Sequence, residues 1–307
     1  MKNLLLITML TFVPYTAAHA EYGTSNTGTT GAAFLKIAPG ARPAAMGEAY
    51  APVADDVYSA FWNPAGLNYL TSGEVSFMHS FWFQGINYSY LAYARPVKFL
   101  RGKIGVSMTY LNAGSIERVT SAGDSDGDFT PYDYAAGISY ARRIFGVNAG
   151  ITLKRIYQSI NDKSASAFAA DMGLRYRMFS DKLDLGVSFS NLGTELKFNK
   201  RSAPLPFIVR AGAGYPILKN LIAVVQADLP NDNAASIHAG GEYVLGRNSG
   251  TPVALRTGYR TNSSLDSLSG FSAGLGISNM NYSFDYAITP YGKLGFSHRI
   301  SLSLKNF

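Results

Sequence analysis

Residues 147–157 read Val-Asn-Ala-Gly-Ile-Thr-Leu-Lys-Arg-Ile-Tyr, and every second side chain in the first part of this stretch is apolar. Val147, Ala149, Ile151 and Leu153 fall on one side of an extended chain, while polar residues or glycine fall on the other. Because consecutive side chains of a β-strand point to opposite faces, this period of two predicts a strand that lies between two unlike environments.

The same alternation recurs from about residue 74 onward and defines fourteen segments, most of about ten residues. The predicted bounds are 74–83, 86–95, 103–112, 132–142, 147–158, 165–178, 182–191, 206–215, 220–229, 235–245, 252–261, 270–279, 281–289 and 294–306. A tilted strand needs about ten residues to cross a bilayer, and an even number of strands is typical of bacterial outer-membrane barrels. The sequence therefore predicts an all-β fold, a 14-stranded antiparallel transmembrane β-barrel over residues 71–307.

Composition agrees with a large β protein and excludes several other classes. The 307 residues are 47% hydrophobic, 13% aromatic and only 15% charged, with no cysteine and a formal net charge of +7. The aromatic content excludes a disordered chain, and the missing cysteines exclude a disulfide scaffold or a cysteine-ligated metal site. The basic residues are scattered singly, so nucleic acid is not a predicted partner. No cofactor and no metal ion is predicted either.

The N-terminus has the three parts of a cleaved secretory signal. A charged start precedes an apolar stretch at residues 4–13, and a tail of small residues ends at Ala20. This pattern predicts a signal peptide over residues 1–20 and a mature chain that starts at Glu21. Together with the strands, it predicts the outer membrane of a Gram-negative-type bacterium. The expected partners there are outer-membrane lipid and, during biogenesis, the barrel-assembly machinery.

The lengths of the connections between the segments support the same location. Connections at one end of the predicted barrel are mostly tight turns, while the two longest, 113–131 and 192–205, both fall at the other end. Short periplasmic turns and longer extracellular loops are typical of outer-membrane barrels. The two long connections are therefore predicted to face the outside.

The energetic cost of charge in lipid decides which face of the barrel points outward. A Lys or Arg on the lipid side at mid-bilayer costs roughly 2–4 kcal/mol, so the apolar face is predicted to meet lipid and the polar face to line the lumen. The charged residues predicted to face the lumen, and to pair there, are Asp171, Arg175, Arg177, Asp184, Arg210, Asp228, Glu242, Arg256, Arg260 and Asp285. Glycine recurs on the same inward row, which leaves room for another part of the chain to pack against the wall.

Residues 33–70 break the period of two and form a candidate plug for this lumen. The stretch is rich in small and apolar residues, and it is interrupted by Pro39, Gly40, Pro43, Pro52 and Pro64. It can therefore form only short helices and turns. We expect residues 21–70 to form an N-terminal hatch inside the barrel.

A series of motifs in this stretch carries a resemblance to a known family. The motifs include Gly-Ala-Arg at 40–42, Met-Gly-Glu-Ala-Tyr at 46–50, Asp-Asp at 55–56 and Trp-Asn-Pro-Ala-Gly-Leu at 62–67. They resemble the N-terminal hatch of the PorV/PorQ family of outer-membrane proteins, and the Asp-Asp and Asn-Pro-Ala elements are shared with FadL-type fatty-acid transporters. The hatch residues that this resemblance implies are Arg42, Met46, Gly47, Asp55, Asp56, Trp62, Asn63, Pro64 and Gly66.

These motif residues also have a structural interpretation, which we favour over direct contact with a ligand. Asn63 and Pro64 are expected to set a turn against which Trp62 packs. Asp55 and Asp56 are expected to pair with lumen arginines or to cap a helix. Such roles are compatible with transport, because a plug must be held in place and must also yield.

Three function classes remain open. The resemblance implies either an accessory or substrate-handling component of type IX-like protein secretion, with secretion-machinery proteins as partners, or a FadL-like channel for hydrophobic small molecules such as fatty acids. An outer-membrane enzyme is the third class. The sequence matches the Gly-X-Ser-X-Gly pattern of a hydrolase nucleophile twice, at 123–127 and at 270–274. The first match lies in a polar loop and the second in an alternating strand. A nucleophile elbow needs a strand, a sharp turn and a helix, so we predict that the protein is not an enzyme.

Overall fold

The computed structural model describes residues 26–179, 182–199, 201–261 and 269–306. The predicted signal peptide and the start of the mature chain lie outside these residues. Fourteen strands pair into one closed antiparallel barrel, as the alternation predicts. Within the described ranges, every helix is too short or too polar to span a membrane.

The described part of the chain forms eighteen strands, of which fourteen belong to the barrel. In chain order they are β1 (Glu74–Phe81), β2 (Asn87–Val97), β3 (Gly102–Asn112), β4 (Ile116–Val119), β5 (Ser125–Phe129), β6 (Tyr132–Ile144), β7 (Val147–Ile160), β8 (Lys163–Met178), β9 (Leu183–Gly193), β10 (Leu196–Phe198), β11 (Arg201–Ala203), β12 (Ile208–Leu218), β13 (Leu221–Pro230), β14 (Ser236–Leu245), β15 (Val253–Arg260), β16 (Phe271–Ser278), β17 (Tyr282–Pro290) and β18 (Phe296–Lys305). Strands β4 with β5 and β10 with β11 form two separate hairpins, and β1 closes the ring by pairing with β18. Each predicted segment corresponds to one barrel strand, and the largest shift is at the end of β12, which reaches Leu218 rather than residue 215.

The two long connections contain the separate hairpins rather than irregular loop throughout. Strands β4 and β5 lie within residues 113–131, and β10 and β11 lie within residues 192–205. Long connections carry many backbone donors and acceptors, and pairing the chain with itself satisfies them. Acidic residues of the first connection contact the same connection: Asp126 lies 3.8 Å from Arg118. We call the barrel end with these hairpins the loop end and the opposite end, with the short connections, the turn end.

The outer face of the barrel is apolar. Large hydrophobic side chains stay exposed there because no other described residue covers them, and a band of this kind is what lipid requires. Examples from around the ring are Phe77, Leu91, Val106, Ile138, Leu153, Phe168, Leu174, Val225, Leu255, Leu275, Phe284 and Leu302. His298 also lies on this face, as its parity predicts, and its Nδ1 is 2.7 Å from the hydroxyl of Tyr286.

One irregularity of the ring is not visible in the sequence. The pairing of β8 with β9 shifts between Ala170 and Met172, because two residues of β9, Ser190 and Asn191, lie opposite one residue of β8, Asp171. The extra residue is therefore on β9, and the Asp171 carboxylate accepts a hydrogen bond of 2.7 Å from the backbone N–H of Asn191. Bulges of this kind re-aim a side chain locally. Here the bulge places a carboxylate against the partner strand, inside the barrel.

The segment before β1 forms only short elements, as its prolines predict. Within residues 26–70, a 3-10 turn at Ala33–Lys36 is followed by two single-turn α-helices, α1 (Ala41–Ala45) and α2 (Ser59–Trp62), and then by a second 3-10 turn at Pro64–Tyr69. Two further 3-10 turns, Phe83–Gly85 and Gly292–Leu294, connect barrel strands. The last turn before β1 starts with Pro64 at its first position and with the Asn63 side chain as its N-cap, which is the expected turn signal.

Candidate functional site in the barrel interior

The N-terminal segment, residues 26–70, contacts inward side chains from strands all around the ring. Its backbone groups at residues 37, 41, 47, 50 and 60 hydrogen-bond to side chains on β2, β18, β16, β13 and β7, which are Tyr88, Ser301, Ser272, Gln226 and Thr152. A segment that reaches inward side chains on so many strands at once occupies the space that they enclose. The boundaries of the predicted hatch at residues 20 and 70, and its role, stay predictions.

Inward glycines set how closely the segment approaches the barrel wall. A Cβ at Gly258 would overlap the backbone of Met46 and Gly47, and a Cβ at Gly173 would overlap the Asn63 side chain. Further contacts of the same kind are Gly150 with Pro64, Gly186 with Pro52 and Gly240 with Met46. Because only glycine leaves room for backbone here, the inward glycine row fits the segment against the wall.

Asn63 connects the segment to two barrel strands. Its amide Nδ2 lies 3.1 Å from the carbonyl oxygen of Ala51, 3.2 Å from that of Leu174 on β8 and 3.4 Å from that of Val187 on β9. Its Oδ1 accepts a hydrogen bond of 3.2 Å from the N–H of Ala65. Asn63 is fully buried, so each of these contacts replaces water. The contacts of Asn63 are therefore structural, because they join the segment to the backbones of β8 and β9.

The variant Asn63→Asp tests this connection, because it keeps the shape but replaces the amide donor with a carboxylate that faces three carbonyl oxygens. A buried group without its hydrogen bonds costs about 1–3 kcal/mol, and more when it is charged. We expect the segment to become accessible to protease added to the refolded barrel. Asn68→Asp is the matched control, because no hydrogen bond to the Asn68 amide nitrogen is present among the described residues. Equal protease resistance of both variants would contradict the role given to Asn63.

Arg42 is the centre of a charge network between the segment and β14. Its Nε donates to Glu242 at 2.8 Å, and its Nη1 lies 2.6 Å from Asp55 and 3.8 Å from Asp56. The aspartate pair therefore meets an arginine of its own segment rather than an arginine of the lumen wall. Asp56 also accepts a hydrogen bond of 3.0 Å from the N–H of Tyr58, just before α2. Burial raises the pKa of Asp56, although the guanidinium of Arg42 opposes the shift.

The other motif residues serve packing. Trp62 is fully buried, and its indole N–H donates to the carbonyl of Pro39 at 3.0 Å. Met46 is fully buried against the glycine row, and Gly47 has a φ of +65°, in the left-handed region that glycine adopts without strain. A Cβ at Gly66 would overlap the backbone carbonyl of Ala54, so this position also requires close approach.

All ten charged residues predicted for the lumen lie on the interior face of their strands, and each has an oppositely charged partner. The pairs between wall residues are Arg175 and Arg177 with Asp184, Arg210 with Asp228, Arg256 with both Glu242 and Asp285, and Lys154 with Asp171. Arg260 instead pairs with Glu48 of the segment at 3.1 Å. The assignment of these residues to a function stays a prediction.

Two functional contacts were not singled out from the sequence. Glu48 lies inside the Met-Gly-Glu motif, and its acidic side chain next to the predicted inward arginines was an available signal. Gln226 accepts hydrogen bonds of 3.0 and 2.8 Å from the N–H groups of Tyr50 and Ala51. The alternation along β13 indicates that Gln226 faces the barrel interior. It does not indicate which group the amide contacts there.

A pocket of about 500 Å³ lies between the segment and the strand ends at the loop end. We call it the loop-side pocket. Its apolar and aromatic lining residues are Ala33, Phe34, Ile37, Trp82, Leu111 and Tyr291. Its polar and charged lining residues are Lys36, Glu48, Asp133, Gln158, Arg260 and Arg299. It is therefore an amphipathic pocket that contains both signs of charge.

Glu48 and Arg299 fix the charge at the base of this pocket. Burial alone would raise the pKa of Glu48, but the adjacent guanidinium groups of Arg260 and Arg299 outweigh it and lower that pKa to about 2. Glu48 is therefore an anion at neutral pH. Two buried nitrogens, the Nε of Arg299 and the indole Nε1 of Trp82, have no hydrogen-bond partner among the described residues. Both residues line the pocket, and each carries a donor that no described residue uses.

The residues that could suggest a metal site or a hydrolase make other contacts in the part of the chain that is described. No group of three or more His, Asp or Glu residues suited to a metal ion occurs there. His238 shares its face with Glu242, but its Nδ1 is 2.7 Å from the carbonyl of Gly47. Ser272, from the second Gly-X-Ser-X-Gly match, accepts from the N–H of Gly47 and donates to the carbonyl of Ala45. Both side chains therefore hold the segment.

The fold is similar to barrels of known structure. The toluene transporter TbuX of Ralstonia pickettii matches with a TM-score of 0.61 and 12% identity over 88% of this chain and 98% of its own. The toluene transporter TodX of Pseudomonas putida matches with a TM-score of 0.60 and 11% identity over 87% of this chain and 97% of its own. A FadL homologue of Pseudomonas aeruginosa matches with a TM-score of 0.53 and 11% identity over 86% of this chain and 97% of its own. At this identity the likeness concerns the fold alone.

The family comparison covers most of the chain. No curated protein sequence matches it. The model of the family described as type IX secretion system protein PorV matches residues 20–227, which include the segment and the barrel as far as β13. The family match and the closed 14-stranded barrel together place the protein in the outer membrane of a Gram-negative-type bacterium, as predicted. The chain belongs to the PorV family.

Proposed function

We propose that this protein is a non-enzymatic component of type IX protein secretion, and that its loop-side pocket receives a segment of a secreted protein. The single observation that carries the proposal is the PorV family match over residues 20–227. The position of the pocket supports it, because the longer loops of outer-membrane barrels face the outside, where a secreted protein arrives. The loop-side pocket is then accessible from the cell surface.

The chemistry of the pocket favours a polypeptide over an uncharged hydrocarbon. A hydrocarbon would cover Arg260, Asp133 and Lys36 without offering them a hydrogen bond, which is costly. A peptide offers carbonyl oxygens to the Arg299 and Trp82 donors and apolar side chains to the aromatic lining. The proposed ligand is therefore an extended stretch of polypeptide that carries both polar and apolar groups.

The packing of the N-terminal segment supports the proposal that residues 21–70 act as a hatch. Glycine contacts, ion pairs and the Asn63 amide hold the described part of the segment against strands on several sides of the barrel. A barrel filled in this way handles its ligand at the loop end without a wide water-filled channel. The motif residues and the lumen charges then act by holding the hatch.

Uptake of hydrophobic small molecules by a FadL-like channel is the second candidate. Its support is the fold likeness to the two toluene transporters, whose chains are matched over 97% and 98% of their length. A fatty acid would be compatible with the pocket, since its carboxylate can pair with Arg260 and its chain can lie on Trp82 and Phe34. An uncharged aromatic hydrocarbon would fit less well.

Photocrosslinking from the pocket distinguishes the two candidates. A photoreactive phenylalanine analogue in place of Trp82, in cells that secrete type IX substrates, is expected to form adducts with secreted polypeptides. The same analogue in place of Phe284 on the lipid face is the matched control and is expected to yield none of these adducts. Lipid adducts alone from the Trp82 position, together with normal secretion when the protein is deleted, would contradict the secretion role and favour uptake.

A further inference from the structure

A second pocket of about 320 Å³ lies in the mouth of the barrel at the turn end. We call it the turn-side pocket. Three cationic residues line it, Lys103 on β3, Arg143 on β6 and Arg177 on β8, and no Asp or Glu is among its described lining residues. Because the turns of outer-membrane barrels face the periplasm, this pocket opens on the side opposite the loop-side pocket.

Two cations of the turn-side pocket have no counter-charge within the described ranges. Lys103 and Arg143 form no ion pair with any residue that the structure describes. Arg177 donates to Asp184 at 2.8 Å, a carboxylate that Arg175 also contacts. An anionic ligand would supply the missing balance.

The floor of the pocket adds a hydrogen-bond donor and an aromatic surface. It is formed by the end of the N-terminal segment, where the Tyr69 ring stacks under the guanidinium groups of Arg175 and Arg177 at 4.1 and 4.9 Å. Asn148 donates to the Tyr69 hydroxyl at 3.1 Å. The Nδ2 of Asn68 is buried and has no hydrogen-bond partner within the described part of the chain. An acceptor oxygen in the pocket would satisfy it.

Exposed phenylalanines lie on three adjacent turns at the same end of the barrel. Phe99, Phe145 and Phe179 are 85%, 100% and 69% exposed, and they lie on the turns after β2, β6 and β8. Phe145 and Phe179 have positive φ angles of 49° and 50°, where a bulky residue is unusual. Aromatic side chains at such tips are contact sites that the folded barrel itself does not use.

We infer that the turn-side pocket binds a carboxylate side chain from an acidic, partly apolar segment of a periplasmic protein. The carboxylate pairs with Lys103, Arg143 and the Asn68 amide, and the apolar residues next to it lie on the exposed phenylalanines. A phospholipid headgroup fits less well, because the three cationic side chains point to the barrel interior while the bilayer surrounds the outer wall. This site does not depend on the secretion role proposed above.

Binding of a fluorescent synthetic peptide of alternating glutamate and leucine tests this inference. The full protein is held in nanodiscs of zwitterionic lipid, and the dissociation constant is measured for the wild type and for the double variant Lys103→Gln with Arg143→Gln. Because charge-assisted hydrogen bonds are lost, we expect binding to weaken about tenfold or more. Phe145→Ala is expected to weaken it by a smaller factor.

The matched control removes a charge from the same turn but not from the pocket. Arg142→Gln lies on the outer parity of β6, next to Arg143, and is expected to leave the dissociation constant close to that of the wild type. Equal weakening by Arg142→Gln and Arg143→Gln would mean that only net charge matters and would overturn the site. If the peptide does not bind, or if the pocket variants instead change the retention of anionic phospholipid, the inference is wrong.

Discussion

Gly258→Val is expected to displace the N-terminal segment and to open the barrel. A Cβ at this position would overlap the backbone of Met46 and Gly47, and backbone cannot rotate away as a side chain can. The strand itself tolerates valine, which has a high β propensity, and the three atoms nearest to the added Cβ all belong to the segment. The steric cost therefore falls on the contact between segment and barrel. We expect raised single-channel conductance in planar bilayers and protease cleavage within residues 40–50.

The control for this prediction is valine at a glycine of similar strand context that does not contact the segment. Gly241 on β14 is such a position, since the nearest atom to its Cβ would be the carbonyl oxygen of Ile222 at 3.8 Å. Gly241→Val is expected to keep the low conductance of the wild type. Deletion of residues 33–63 gives the reference for a fully open barrel. A closed, protease-resistant Gly258→Val barrel would contradict the placement of the segment.

The strands and their faces could be predicted because both follow from local rules. A period of two fixes which residues share a face, and the cost of a charge in lipid fixes which face is inside. The ten charged residues that face the lumen, from Asp171 to Asp285, could therefore be predicted without knowing which strands are neighbours. The hairpins in the long connections and the bulge opposite Asp171 could not be predicted in this way, because they depend on pairing rather than on alternation.

The partners of the lumen charges depend on register, which the alternation does not specify. Arg256 lies opposite Glu242 on the neighbouring strand, but it also reaches Asp285 on β17, across the intervening strand β16. This reach is possible because Gly276 on β16 has no side chain, and its Cβ would lie 2.6 Å from the Arg256 Nη1. Some inward glycines therefore make room for the segment and others make room for an ion pair. The sequence alone did not separate these two uses.

The contacts of the segment are the least predictable part of the site. Its prolines indicated broken structure, and Asn63 with Pro64 indicated a turn, as observed. The carbonyl acceptors of Asn63 are on Leu174 and Val187, more than 100 residues later in the chain. Contacts at such a distance follow from how the whole ring closes around the segment. No local pattern in residues 26–70 encodes them.

Opposite effects are expected from substitutions at two adjacent residues of β8, because one faces lipid and the other faces the lumen. Leu174 is 49% exposed on the outer wall, whereas Arg175 is 2% exposed inside the barrel. Leu174→Arg places a guanidinium in the hydrocarbon region, at a cost of roughly 2–4 kcal/mol at the midplane and less toward the interfaces. We expect a clearly reduced fraction of barrel that inserts into vesicles, measured by the gel shift between unboiled and boiled samples.

Arg175→Leu is the matched variant, and we expect it to insert as the wild type does. Asp184 keeps Arg177 as its partner at 2.8 Å, so no buried carboxylate is left without a cation. The variant does lose the hydrogen bond from Arg175 to the carbonyl of Ala54 and the cation–π contact with Tyr69. It should therefore loosen the segment and make residues near 54 and 69 accessible to protease in the inserted barrel. If Leu174→Arg inserts normally while Arg175→Leu does not, the two faces of β8 are exchanged, and the lumen charges with their pairs must be reassigned to the lipid side.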